Sequence, residues 1–159
     1  MVRWIGRLVG LVLVALGAIG VVFVVGMRTK SPPVLDNIRR FNRGVTNPRV
    51  LRSAGSPGAS ASVIHHVGRT SGRSHATPVG PFAVGESFVI ALPYGPGADW
   101  VRNVLASGTA TLLHEGATIP IDQPEVVPVG LVIDDLPASQ QRMLRVFGVD
   151  ECLRVSRTR

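Results

Sequence analysis

Residues 61–82 read ASVIHHVGRTSGRSHATPVGPF. Ala61–Val67 is a short run rich in β-branched residues, Ala76–Phe82 is another, and a turn of Gly, Arg and small hydroxyls stands between them. This pattern predicts two strands joined by a tight connection. Further short runs follow closely. Ser87–Leu92 is led in by Gly85-Glu86, Ala110–His114 and Ala117–Ile121 flank the hairpin signature Glu115-Gly116, and Glu125–Pro128 predicts a sixth strand. Asp99–Ala106 reads as a helix, with Asp99 as N-cap or first-turn acid and Gly108 as its stop. Ala138–Val146 reads as a final helix, introduced by Asp134, Asp135 and Pro137. Many short strands with few helices predict a mainly β (α+β) chain built as a small antiparallel barrel. The missing crossover helices argue against a Rossmann fold.

Upstream of this region, residues 8–27 carry no charge and are dominated by Leu, Val, Ala and Ile. As a helix the run is roughly 30 Å long, about one hydrocarbon thickness. A cleaved signal peptide needs a shorter apolar core and a small-residue cleavage site, whereas here Met27-Arg28-Thr29-Lys30 follows as a stop-transfer pattern. A single membrane-spanning helix, with membrane lipid as its partner, is therefore expected within residues 1–30. Arg28, Lys30, Arg39, Arg40 and Arg43 follow it against the one acid Asp36, which places the following domain on the cytoplasmic side. Ser31-Pro32-Pro33 is a stiff break. Val34, Leu35, Ile38, Phe41 and Val45 then recur at helical spacing, so residues 31–55 form an amphipathic helical linker that lies on the membrane or packs on the domain. Residues 56–159 make up the globular domain.

The net charge of +7 is unevenly distributed. Residues 28–73 hold nine basic groups and one acid; residues 74–151 hold three basic groups and nine acids. Anionic lipid attracts such juxtamembrane basic segments by about 1 kcal/mol per residue. The basic residues do not alternate with aromatics and no recognition helix is evident, so no nucleic acid partner is expected. Sixteen of the seventeen basic residues are arginine, which together with abundant Ala, Val, Gly and Pro is the mark of a GC-rich genome. Cys152 is the only cysteine, which excludes an intrachain disulfide or a cysteine-based metal site.

The turn Gly68-Arg69-Thr70-Ser71-Gly72-Arg73 offers amide donors, two hydroxyls and two guanidiniums. Such a turn either cradles an anion or is an ordinary hairpin with solvated arginines. It is not a phosphate-binding P-loop, because no Gly-Lys-Ser/Thr follows and a strand stands where a helix is required. His65, His66 and His75 invite a metal, but adjacent strand residues face opposite sides, so His65 and His66 do not share one. One of that pair is expected to be buried and satisfied, the other exposed, and no metal site is expected. Trp100, at the start of the second helix, either anchors that helix to the barrel or walls a ring pocket with Tyr94, Asn103 then supplying a hydrogen bond.

Taken together, Gly-Arg-x-Ser-Gly-Arg, Thr-Pro, a strand ending in Pro-Tyr-Gly and then Asp-Trp-x-x-Asn resemble, in order and spacing, the deazaflavin-dependent nitroreductase family of actinobacteria. The resemblance spans about residues 37–154. It implies a split β-barrel using coenzyme F420 to deliver hydride to an electron-poor acceptor such as a quinone or nitro compound. By position it assigns the anionic tail of the coenzyme to Arg69, Thr70, Ser71, Arg73, His75, Ala76, Thr77, Pro78, Val79 and Gly80. The ring falls to Leu92, Pro93, Tyr94, Trp100, Arg102 and Asn103. Thr70 and His75 stand where members carry lysine and arginine, and the late tyrosine of the family has no counterpart after Tyr94. A split barrel using FMN, and a non-catalytic cofactor- or lipid-binding barrel at the membrane, are the competing expectations.

Overall fold

The computed structural model describes residues 2–158, with side chains from residue 12 onward. Helix α1 spans Val2–Arg28, and a turn through Lys30 leads into α2, Pro32–Phe41. Proline at the first helical positions suits α2, because the missing N–H has no intrahelical acceptor there and φ is already helical. The chain continues through a π-helical turn, Asn42–Thr46, into α3, Asn47–Val50. Strands β1 (Ser62–Val67), β2 (Ser74–Val79), β3 (Pro81–Val84) and β4 (Ser87–Ala91) follow. Then come α4 (Asp99–Ser107), β5 (Thr109–His114), β6 (Ala117–Pro128), α5 (Ala138–Phe147) and β7 (Glu151–Arg157).

All seven strands form one antiparallel sheet in the order β2-β1-β5-β6-β7-β4-β3. Its two edge strands, β2 and β3, are separated in the chain by Gly80 alone. Laid flat, seven strands would hold their edges roughly 29 Å apart. Val79 and Pro81 are two residues apart and at most about 7 Å from each other. The sheet therefore curls until its edges meet at the Gly80 corner. This closed corner on an otherwise open sheet is the split-barrel arrangement.

Period-two alternation distributes the apolar side chains. Ile64, Phe88, Ile90, Leu112, Ile121, Leu153 and Val155 fill the concave interior with Val101 and Val104 of α4. Their neighbours Val89, Val127 and Cys152 face the other side, where Leu136, Leu144 and Val149 cover them. Strands β4, β6 and β7 are thus covered on both faces, which removes the polar outer face of an ordinary antiparallel strand.

Three strand boundaries differ from expectation. The run Ala76–Phe82 is two strands, because Gly80 turns the corner that brings the edges together. The runs from Ala117 and from Glu125 are one strand, continuous through an irregularity between Asp122 and Glu125 where Gln123 has φ 50°. Strand β7 was not anticipated; its consecutive Cys152 and Leu153 are both buried, which hides the alternation. The Glu115-Gly116 turn has φ of 51° and 78°, both positive as a two-residue type I′ turn demands.

Among the described residues, the contacts of helix α1 with the sheet domain lie at its C-terminal end. Arg28 Nη1 donates to the carbonyls of Arg145 (2.7 Å) and Val146 (3.1 Å) at the end of α5. Phe23 meets Phe147 edge-on at 6.2 Å, and Lys30 pairs with Asp150 at 3.0 Å. The large apolar side chains from Val12 to Val22 are exposed. Among the described residues no single helix is long and apolar enough to cross a membrane; Val12–Arg28 and Pro32–Val50 meet that test together but are bent by 106°. Residues 8–11 of the expected span lie outside the described side chains.

Candidate functional site

Helix α4 closes one end of the curled sheet, with Val101 and Val104 directed into the interior. Ile64 and His66 lie on the same face of β1, two residues apart, so His66 points inward at the end α4 covers. His66 is 6% exposed, while His65 on the opposite face is exposed, as period two requires.

An inward polar side chain must be satisfied, and a defined network does this. Arg69 donates to Asn103 Oδ1 twice, from its backbone N–H at 3.2 Å and from Nη1 at 2.9 Å. Because Arg69 only donates, the amide atom facing it is the oxygen, and Asn103 Nδ2 points to His66 Nδ1 at 3.2 Å. His66 therefore accepts at Nδ1, carries its proton on Nε2 and donates to Thr77 Oγ1 at 3.1 Å. Burial, and then the proximity of His75 and His65, lowers the His66 pKa to about 4, so the ring is neutral at physiological pH. His75 stacks on it at 5.6 Å with the planes 23° apart.

The β1–β2 turn is held by its own bonds. Gly68 N–H donates to Arg73 O and Gly72 N–H to Gly68 O, both at 2.8 Å, while Arg73 N–H reaches Ser71 Oγ at 3.4 Å. A Cβ on Gly68 would fall 2.5 Å from Ser71 Oγ and 3.0 Å from the His75 ring, so any other residue requires Ser71 to move. Among the described residues, the amides of Thr70 and Ser71 are the turn's uncommitted donors.

Asp99 is the acid of the first turn of α4, preceded by Ala98 at the cap position. It receives Arg69 Nη2 at 3.3 Å and Arg43 Nη2 at 3.6 Å. The linker clasps the same region: Arg39 Nη2 donates to Tyr94 O at 2.8 Å and Asn42 Nδ2 to Tyr94 Oη at 2.9 Å. Through these bonds the linker packs on the domain. Asp99, His66, Arg39, Asn42 and Arg43 are the members of this region that sequence reasoning did not assign. The facing of His66 was masked by the consecutive buried apolar residues Val63 and Ile64, and the linker contacts carried no signal.

The expected tail and ring residues divide accordingly. Arg73, His75, Ala76 and Arg102 are exposed, and Arg73 and Arg102 have no acidic partner among the described residues. Arg69 is tied to α4, Thr77 to His66, and Thr70 and Ser71 lie in the exposed turn. Pro78 and Gly80 sit on edge strand β2 and at its end, where a residue without N–H is tolerated. Val79 and Leu92 are core residues. Pro93 and Tyr94 are half-buried in the turn after β4, and Trp100 is half-buried against the interior core. Asn103 is buried with both amide ends engaged, so its side chain holds the turn and is not free for a ring. No group of metal-ligating side chains occurs among the described residues.

Neither a protein-family model nor a curated protein matches the chain. Solved structures of similar outline include F420-dependent reductases. An F420-H2-dependent reductase, FDR-A, is 13% identical and covers 61% of this chain and 94% of its own, with a TM-score of 0.45. The haem storage protein HutZ from Vibrio cholerae is 12% identical over 63% of this chain and 82% of its own, with a TM-score of 0.48. An FAD-binding protein from Mesorhizobium loti is 8% identical over 73% of this chain and 90% of its own, with a TM-score of 0.46. At such values the likeness is one of outline, and the split-barrel assignment rests on the Gly80 corner and the strand order.

Proposed function

We propose that this chain is a membrane-anchored oxidoreductase of the deazaflavin-dependent nitroreductase type, delivering hydride from reduced coenzyme F420 to an electron-poor acceptor. The observation that carries the reading is the meeting of its two motifs. The Gly/Arg turn and the Asp-Trp-x-x-Asn helix, 34 residues apart, are joined by Arg69 and Asn103. The motif order that resembles the family thus becomes one surface.

The residues present fit a polyanionic tail. Arg73 and Arg102 supply guanidiniums without acidic partners among the described residues, and Thr70 and Ser71 supply amides and hydroxyls in the turn. Edge strand β2 offers unpaired backbone groups along His75–Pro78. Arg69 positions the turn, Tyr94 and Trp100 border the ring end, and no side chain is required as nucleophile. The bound coenzyme would supply the hydride chemistry, and the protein orientation and charge.

The anchor is supported by the uncharged run 8–27 and by the exposed apolar side chains from Val12 to Val22. Basic residues after that run favour a cytoplasmic barrel. A site held beside the bilayer suits a lipid-soluble quinone as acceptor.

Titration of the detergent-solubilised full chain with coenzyme F420, and separately with FMN, tests the proposal. We expect saturable F420 binding, weakened by about 1.5–3 kcal/mol in Arg73→Ala and in Arg102→Ala. Preference for FMN would replace the cofactor, and tight binding without turnover of quinone or nitro acceptors would make the barrel a carrier.

A further inference from the structure

A second basic site lies away from the sheet corner, where α1 meets α5. Ala138, Gln141, Arg142, Arg145 and Val146 of α5 and Arg28 of α1 line an open cavity of about 480 Å³. Positions 138, 141, 142 and 145 follow one stripe of the helix, so Arg142 and Arg145 present side by side. The lining holds three guanidiniums and no carboxylate. Arg142 has no hydrogen-bond or ion-pair partner among the described residues, and Arg145 reaches only Gln141 Oε1 at 3.3 Å.

This clustering runs against the local charge. Residues 74–151 contain three basic groups among nine acids, and two of the three face this cavity. Like charges gathered without counterions repel, which is tolerable where an anion joins them.

The position of the cavity is fixed by packing. Arg28 closes the C-terminal end of α5 through two carbonyls, and a Cβ on Gly148 would approach Arg28 Cα to 3.3 Å. The floor is therefore built into the joint between α1 and the domain. The apolar side chains of α1 begin immediately beyond it, with Val25 and Phe23 exposed to 51% and 40%.

We propose that Arg28, Arg142 and Arg145 form a binding site for the phosphate of an anionic phospholipid headgroup, taken from the bilayer that holds α1. Arginine matches phosphate through paired N–H donors, and Gln141 adds an amide at the rim. The choice of bilayer lipid over free phosphate rests on the anchor reading given above; the anionic chemistry does not.

The test uses the full chain in neutral detergent. Binding of short-chain phosphatidylglycerol, phosphatidylcholine and inorganic phosphate is measured by native mass spectrometry and by titration calorimetry. Binding is expected for phosphatidylglycerol, with little for phosphatidylcholine, and at least about tenfold weakening in Arg142→Gln/Arg145→Gln. Arg28 is left in place because it also caps α5. Equal binding of both lipids, or full binding by the double variant, overturns the site. Inorganic phosphate binding as tightly as phosphatidylglycerol overturns its assignment to the bilayer. Carbonate extraction of native membranes reports separately on the anchor: a chain released by carbonate removes the anchor, while the detergent measurement still decides whether the cavity takes phosphate.

Discussion

Arg69 donates from Nη1 to Asn103 Oδ1 at 2.9 Å, fastening the β1–β2 turn to helix α4 across 34 residues of chain. The same amide satisfies His66 through Nδ2. Asn103→Ala removes both interactions and leaves the buried Nδ1 of His66 without a partner. The expected loss is about 1–3 kcal/mol for the unsatisfied group, read as a lower urea midpoint at unchanged slope. Asn103→Asp keeps the bond to Arg69 but places a carboxylate beside His66, so its pKa rises, as NMR titration of the ring would report. An Asn103→Ala variant as stable as the parent would mean that the network has no structural role.

Acid should destabilise the protein through His66. Above pH 6.5 its ring is neutral both folded and unfolded, and stability does not depend on it. Between 6.5 and about 4 the unfolded chain binds a proton that the buried ring refuses, so stability falls with falling pH. Below about 4 both states are protonated and the loss levels off, on the order of 3 kcal/mol in all. His66→Gln, which still offers an acceptor to Asn103 and a donor to Thr77, should flatten the decline over that window. Carboxylates titrate in both proteins, so the difference between their thermal midpoints isolates the histidine. Parallel midpoints from pH 7 to pH 4 would place the acid sensitivity elsewhere.

The features legible in the sequence were those set by neighbouring residues. Glu115-Gly116 announces its hairpin because both residues take positive φ, and Gly108 stops α4 in the same conformation. Adjacent histidines had to face opposite sides. The facing of β1 was hidden because Val63 and Ile64 are both apolar and both buried. Strand β7 was invisible for the same reason, since consecutive buried residues erase the period-two signal. The candidate site was legible as two motifs and not as a network. Nothing in the spacing tells Arg69 to choose Asn103, or Arg39 to reach Tyr94; those contacts arise only after the sheet curls and the linker folds back.

Cys152 should behave as an inert thiol. It is fully buried between β7 and the α5 layer, and burial raises its pKa to about 11. At pH 8 roughly one thiol in a thousand is then ionised, and that fraction is shielded from reagent. Labelling by a disulfide reagent should therefore follow unfolding, with its rate rising through the urea transition. Rapid stoichiometric labelling under native conditions would show that the β7–α5 contact opens locally.

Gly68 tests whether the turn over the network is as tight as its contacts indicate. A methyl there falls 2.5 Å from Ser71 Oγ, closer than Cβ atoms come, and 3.0 Å from the His75 ring, a tight contact. Ser71 is a short side chain that can rotate away, at the loss of its contact with the Arg73 N–H. His75 is stacked on His66 and yields less readily. Gly68→Ala should therefore cost about 1–3 kcal/mol. Gly68→Ala in a Ser71→Ala background should cost less, because one of the two clashing groups is gone, and the difference is the coupling between the positions. Equal costs in the two backgrounds would make His75 the whole of the obstruction. In that case His75→Ala should relieve it, and the stacked imidazole would be the element that sets the height of the turn above α4.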